Sequence, residues 1–162
     1  MTTDDVIIAL IAFVQPFVPS GLLIIRGQIN RTSMPQGEFV KVIEIHRNNL
    51  DTPTQLQDAV LQQASISNSK QLDVQIDFYG MNSGDWSATL ESVWRAPYGP
   101  DQFPAGIAPL YCSDARQMPL VTGEEQYLNR WVLTGSLEYN PNVIVPQQSA
   151  TSLKMNLIED LA

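Results

Sequence analysis

The chain has 162 residues, 44% of them apolar, and 17 acidic against 9 basic residues give a formal charge of −8. That length suits one domain spanning residues 1–162, and the scattered Lys and Arg residues form no basic stripe of the kind that grips a phosphate backbone. One cysteine (Cys112) and one histidine (His46) exclude an intramolecular disulfide and a Cys/His zinc site, which needs three or four ligands.

Val6 to Val14 is an unbroken apolar run. It falls short of the about 20 residues that cross a bilayer, and Asp4 and Asp5 replace the positive flank of a secretory signal. Thr2 or Thr3 with these acids makes a helix N-cap, and Pro16 and Pro19 close the segment. A helix apolar all round must be covered on more than one side, by the domain's own sheet or by a neighbouring subunit.

Leu22 to Arg26 reads as a short strand and Gln28 to Gly37 as a loop. A second strand runs through Phe39, Val40, Val42, Ile43 and Ile45 to end near His46 and Arg47, and Asn48 to Pro53 is a connector. Leu56 to Ile66 alternates loosely, and Asn68-Ser69 is a reversal before the strand from Leu72, so the two form a long antiparallel hairpin with a polar face. A helix over Gln55 to Gln63 is the competing reading.

Leu72, Val74, Ile76 and Phe78 alternate with Asp73, Gln75, Asp77 and Tyr79, the period of a half-buried strand. Gly80 to Gly84 breaks it, and Ser83 or Asp85 caps a helix over Trp86 to Arg95. Pro97 to Gly123 reads as irregular and holds five of the chain's eleven prolines; a loop of such length is usually functional or an interaction surface. A long strand from Tyr127 places Asn129, Trp131, Leu133, Gly135, Leu137 and Tyr139 on one face and ends at Asn140-Pro141. Val143 to Val145 is extended, and Ser149 to Leu157 supplies a last strand. There is no internal repeat and no domain boundary. The sum is an α+β domain: an antiparallel or mixed sheet of about five to six strands flanked by two main helices, with a long hairpin and a long Pro-rich loop.

Catalytic chemistry is hard to assemble from these residues. Asp73 and Asp77 share a strand face about 13 Å apart, beyond the about 5–9.5 Å of a glycosidase pair, and read as a polar face. Glu124-Glu125 caps the long strand or pairs with Arg130. His46 and Cys112 read as structural residues. Gly80 to Gly84 leads from strand to helix, the setting for anion binding, but it lacks a Walker lysine or dinucleotide fingerprint, and Asp85 repels a phosphate. The aromatic residues Trp86, Trp94, Tyr98, Phe103, Tyr111 and Trp131 read as packing. The expectation is therefore no catalytic residue, no cofactor and no metal site, and an assembly role rather than an enzyme.

The segments IRGQINRTSMPQGEFVKV (Ile25 to Val42), VQIDFYGMNSGDWSATLESVWR (Val74 to Arg95), APLYCSDARQMPLVTGEEQYLNRW (Ala108 to Trp131) and EYNPNVIVPQQ (Glu138 to Gln148) resemble the neck or tail terminator proteins of phages and prophages. The resemblance implies a structural virion protein at the head-tail junction, assembled in the host cytoplasm. It further implies a homohexameric ring on the tail tube, in contact with the tube protein, the head-completion (neck) proteins and the tail sheath. DNA would pass through the channel without sequence-specific binding, and no membrane is involved. Under that reading Asp73 and Asp77 are candidate channel-lining residues, since acids repel DNA. Phe103, Tyr111 and Met118 are candidate interface anchors. The alternatives are another head-tail joining or tube-related ring protein, and, from a different class, a small cytoplasmic ligand-binding domain or enzyme with an aromatic pocket.

Overall fold

The computed structural model describes residues 1–27, 34–121 and 127–148. In chain order these form α1 (Thr3–Val14), a 3-10 turn (Gln15–Phe17), β1 (Leu23–Arg26), β2 (Phe39–Asn49), β3 (Thr54–Asp58), β4 (Gln63–Ser67) and β5 (Lys70–Tyr79). Then come α2 (Ser83–Arg95), α3 (Tyr98–Asp101), β6 (Ile107–Cys112), β7 (Arg116–Gln117), β8 (Leu120–Val121), β9 (Tyr127–Leu128), β10 (Arg130–Tyr139) and β11 (Asn142–Pro146).

The two longest alternating runs of the sequence pair with each other. β5 and β10 are antiparallel over ten residues, from Arg130 opposite Tyr79 to Tyr139 opposite Lys70. Around them the main sheet has the order β1-β2-β5-β10-β6, with β7 also on β10 and β1 parallel to β2. Alternation sends Leu72, Val74, Ile76 and Phe78 to one face, where they join Val40, Val42, Leu133 and Leu137 in a fully buried layer. Onto that layer α1 packs Val6, Ile7, Leu10, Phe13 and Val14, and α2 packs Trp86, Leu90 and Trp94.

Each helix end has a local cause. Thr2 is the N-cap of α1 in a reciprocal capping box, its hydroxyl accepting from the Asp5 amide while the Asp5 carboxylate accepts from the Thr2 amide. The apolar run is covered by the domain's own core on one side, but Ile8 is 65% exposed. α2 begins at Ser83, so neither Ser83 nor Asp85 is its cap; Asn82 holds that position without a side-chain bond, and the Ser83 hydroxyl donates to the Gly80 carbonyl.

The strand pairing departs from the sequence reading in two places. No reversal forms at Asn68-Ser69: β4 runs on into β5 there, the chain turns at residues 59–62 between β3 and β4 instead, and β4 and β5 enter different sheets. β5 takes β2 as its hairpin partner, Asn49 facing Lys70, whereas β4 pairs with β3 and β11 in a separate three-stranded sheet ordered β11-β4-β3. This small sheet is an arm rooted at Ser69. There the Leu50 amide donates to the Ser69 carbonyl, the Ser69 amide to Asp51, and the Ser69 hydroxyl lies 2.8 Å from a Glu138 carboxylate oxygen and 2.6 Å from the Asn140 side chain.

The Pro-rich passage is also more ordered than read. It holds α3 and supplies the edge strand β6, with Pro109 opposite Leu137. An edge strand tolerates proline because one side of it makes no ladder bonds. The strand expected over Ser149 to Leu157 and most of the loop from Gln28 lie outside the described residues.

Candidate functional site

The residues that alternate with the core form the opposite face of the main sheet, away from α1 and α2. Register places them in rows: Phe39, Tyr79 and Arg130; Lys41, Asp77 and Val132; Ile43, Gln75 and Thr134; then, past an irregularity in β2, His46, Asp73 and Ser136. In the first row the Phe39 and Tyr79 rings stack with centroids 4.3 Å apart, and the Arg130 guanidinium lies 5.8 Å from the Tyr79 ring.

Asp77 has no exposed surface. Arg130 Nη2 donates to its Oδ2 at 2.9 Å, Gln75 Nε2 donates to its Oδ1 at 2.7 Å, and the Tyr79 hydroxyl donates at 3.3 Å. A bare acidic wall therefore does not include Asp77, because its charge is buried and answered by Arg130. Asp73 is half-buried in a second cluster, accepting from Gln71 Nε2 at 2.7 Å and from the Ser136 hydroxyl at 2.5 Å. Gln71 uses its other amide proton on the Tyr111 hydroxyl at 2.8 Å, tying β6 to β5.

Burial, and next the Asp77 charge, push the Tyr79 hydroxyl up from 10.0 to about 12, with Arg130 pulling the other way. A raised acid holds its proton in the folded state after the unfolded chain has released it. Stability from this group is thus complete below pH about 10 and is lost as pH rises through about 12. Urea midpoints measured across that window should fall in the native chain and fall less steeply in Tyr79→Phe. Parallel declines would show that Tyr79 does not contribute.

The three expected anchors separate. Phe103 is not an exposed anchor: it is 8% exposed and its ring lies 4.7 Å from Phe13 and 6.3 Å from Trp94 in the core. Tyr111 and Met118 are 60% and 51% exposed. Glu124 and Glu125 lie outside the described residues, while Arg130 is engaged by Asp77. Burial raises the Cys112 thiol above its ordinary range, and its Sγ faces the Glu91 carbonyl of α2, whereas His46 is exposed on β2. The strand-to-helix passage at Gly80 is filled by the protein's own anion. The Glu38 carboxylate accepts from the Met81 amide at 2.9 Å and packs where a Gly80 side chain would stand.

Among the described residues, no cluster of three His, Cys, Asp or Glu side chains is placed to hold a metal, and no helix is long and apolar enough to cross a membrane. Sequence reasoning missed the Asp77–Arg130 pair and the arm. The signal for the pair was that both residues sit on alternating strands at the polar phase.

The described residues thus form a mixed sheet with one helix-covered face and one hydrogen-bonded polar face, and a three-stranded arm. Residues 6–160 match the family described as phage neck terminator protein, and the chain belongs to that family. The fold is also similar to a sheath/tube terminator in the extended state from an extracellular contractile injection system, PVC, solved by cryo-EM. That match has a TM-score of 0.61 at 10% identity and covers 100% of this chain, which spans 65% of the other. No curated protein matches in sequence.

Proposed function

We propose that this chain closes a tail tube as a ring, a homohexamer, at the head-tail junction of a virion, where it meets the tube, sheath and head-completion proteins and DNA passes through its channel. The observation that carries the reading is the family match across nearly the whole chain. The polar face supports it physically. Of the bases in its rows, Arg130 is engaged by Asp77, and Lys41 and His46 stand among amides, hydroxyls and carboxylates, with Asp73 as the half-buried acid. Particles lacking this chain should show tails without a regulated end and heads left unjoined by electron microscopy. Normal joined tails in its absence would refute the assignment.

Tyr111 and Met118 are the proposed contacts to a neighbouring protein. Tyr111→Ala with Met118→Ala should lower incorporation into particles by about tenfold or more, as truncating exposed anchors does. Tyr111→Phe, which loses only the hydroxyl bonded to Gln71, should incorporate normally. Full incorporation of the double variant would remove these residues from the interface.

A further inference from the structure

The arm has a surface that the main fold does not explain. On one of its faces Leu56 of β3 and Ile144 of β11 stand on either side of Ser65 of β4, 69% and 63% exposed. With Leu61 they line an open groove of about 300 Å³. At the hairpin tip Val60 and Leu61 are 91% and 63% exposed, and Ala64 is the one fully buried residue of the three strands.

The arm is also nearly free of charge. Residues 54–67 and 142–148 contain one charged side chain, Asp58, in a chain that is 16% charged. That carboxylate is exposed and accepts from the Val60 and Leu61 amides at 2.9 and 3.1 Å. A second groove, of about 90 Å³, has the same character. It is lined by Ala12, Phe13, Pro16, Phe17, Tyr98 and Gln102, none of them charged, and has room for one aliphatic side chain.

From these two surfaces we propose that the Val60–Leu61 tip of one copy seats in the Ala12–Phe17–Tyr98 groove of a second copy of this chain. The choice of occupant follows from charge. Copies of a chain carrying −8 repel one another, and they associate at least cost where the groove contributes no charge and the tip's one carboxylate, Asp58, is already held by the Val60 and Leu61 amides. Knob and groove are different surfaces of one chain, so the contact is head-to-tail and propagates around a ring. The inference rests on the ring reading above, and it names the contact that builds the ring.

The test uses two variants of the whole chain. Val60→Asp with Leu61→Asp disables the knob; Ala12→Glu blocks the groove at an exposed helix position. Each variant alone should weaken self-association at least tenfold by light scattering while keeping its circular dichroism. Mixed together they should form a one-to-one dimer, because one intact knob still meets one intact groove. Rings from either variant, or a mixture of monomers where the native chain forms rings, would overturn the contact and leave the ring standing. A photo-crosslinker at position 60 in assembled particles provides the second reading. Capture of the peptide containing Ala12 to Phe17 supports the contact, and capture of a different protein overturns it. Native chains that neither form rings nor enter particles would bring down the ring reading itself.

Discussion

Trp94→Ala is expected to destabilise the fold by about 3–5 kcal/mol, lowering the melting temperature by roughly 8–16 °C. Trp94 is 3% exposed and fills the junction between α2, α1 and β10, meeting the rings of Phe13 and Phe103 edge-on. Its indole lies flat enough on β10 that a Cβ added to Gly135 would stand 2.6 Å from the ring. Gly135→Ala should therefore cost about 1–3 kcal/mol by overpacking. The two effects are not additive, since a smaller ring at position 94 makes room for the alanine. The buried indole N–H finds no acceptor among the described residues, so Trp94→Phe removes that donor and should cost far less than alanine. If calorimetry finds Gly135→Ala equally costly with Trp94 and with Phe at 94, the indole contact is not what position 135 accommodates.

Arg130→Met should cost a similar amount, about 3–5 kcal/mol, for a different reason. The methionine replaces much of the guanidinium's volume but leaves the fully buried Asp77 carboxylate with Gln75 and Tyr79 as its donors among the described residues. Adding Asp77→Asn removes the stranded charge, and the double variant should regain more than half of the loss. A double variant no more stable than Arg130→Met alone would show that the loss came from the stack on Tyr79 instead of from the ion pair.

The parts of the fold that were legible in the sequence are those with local causes. Strict alternation marked β5 and β10, and an N-cap at Thr2 or Thr3 with the apolar run marked α1. Pairing was not local. β4 has the same alternation whichever neighbour it takes, and its choice of β11 depends on residues such as Asn142, which faces Ser67 across the arm. β6 was hidden because its proline reads as a breaker unless the strand is known to lie at an edge. At the candidate site, alternation put Asp73 and Asp77 on the polar face correctly, but it could not say that Asp77 is buried there while Asp73 is only half-buried. The partner that buries Asp77 stands 53 residues away. Phe103 is buried for the same reason: residue type does not reveal that Phe13, from the far end of the chain, packs against it.

Ser69 carries a consequence for symmetry. The single Ser69 hydroxyl proton is shared between the Glu138 carboxylate and the Asn140 side-chain oxygen, while the Ser69 backbone is tied to Leu50 and Asp51. These ties restrict the angle at which the arm leaves the body. Around a closed assembly any angular error in one subunit recurs at every contact and accumulates before the last copy meets the first. In the ring proposed above a stiff root would keep that sum small, and the number of copies completing the circle would be governed at the base of the arm as much as at its tip.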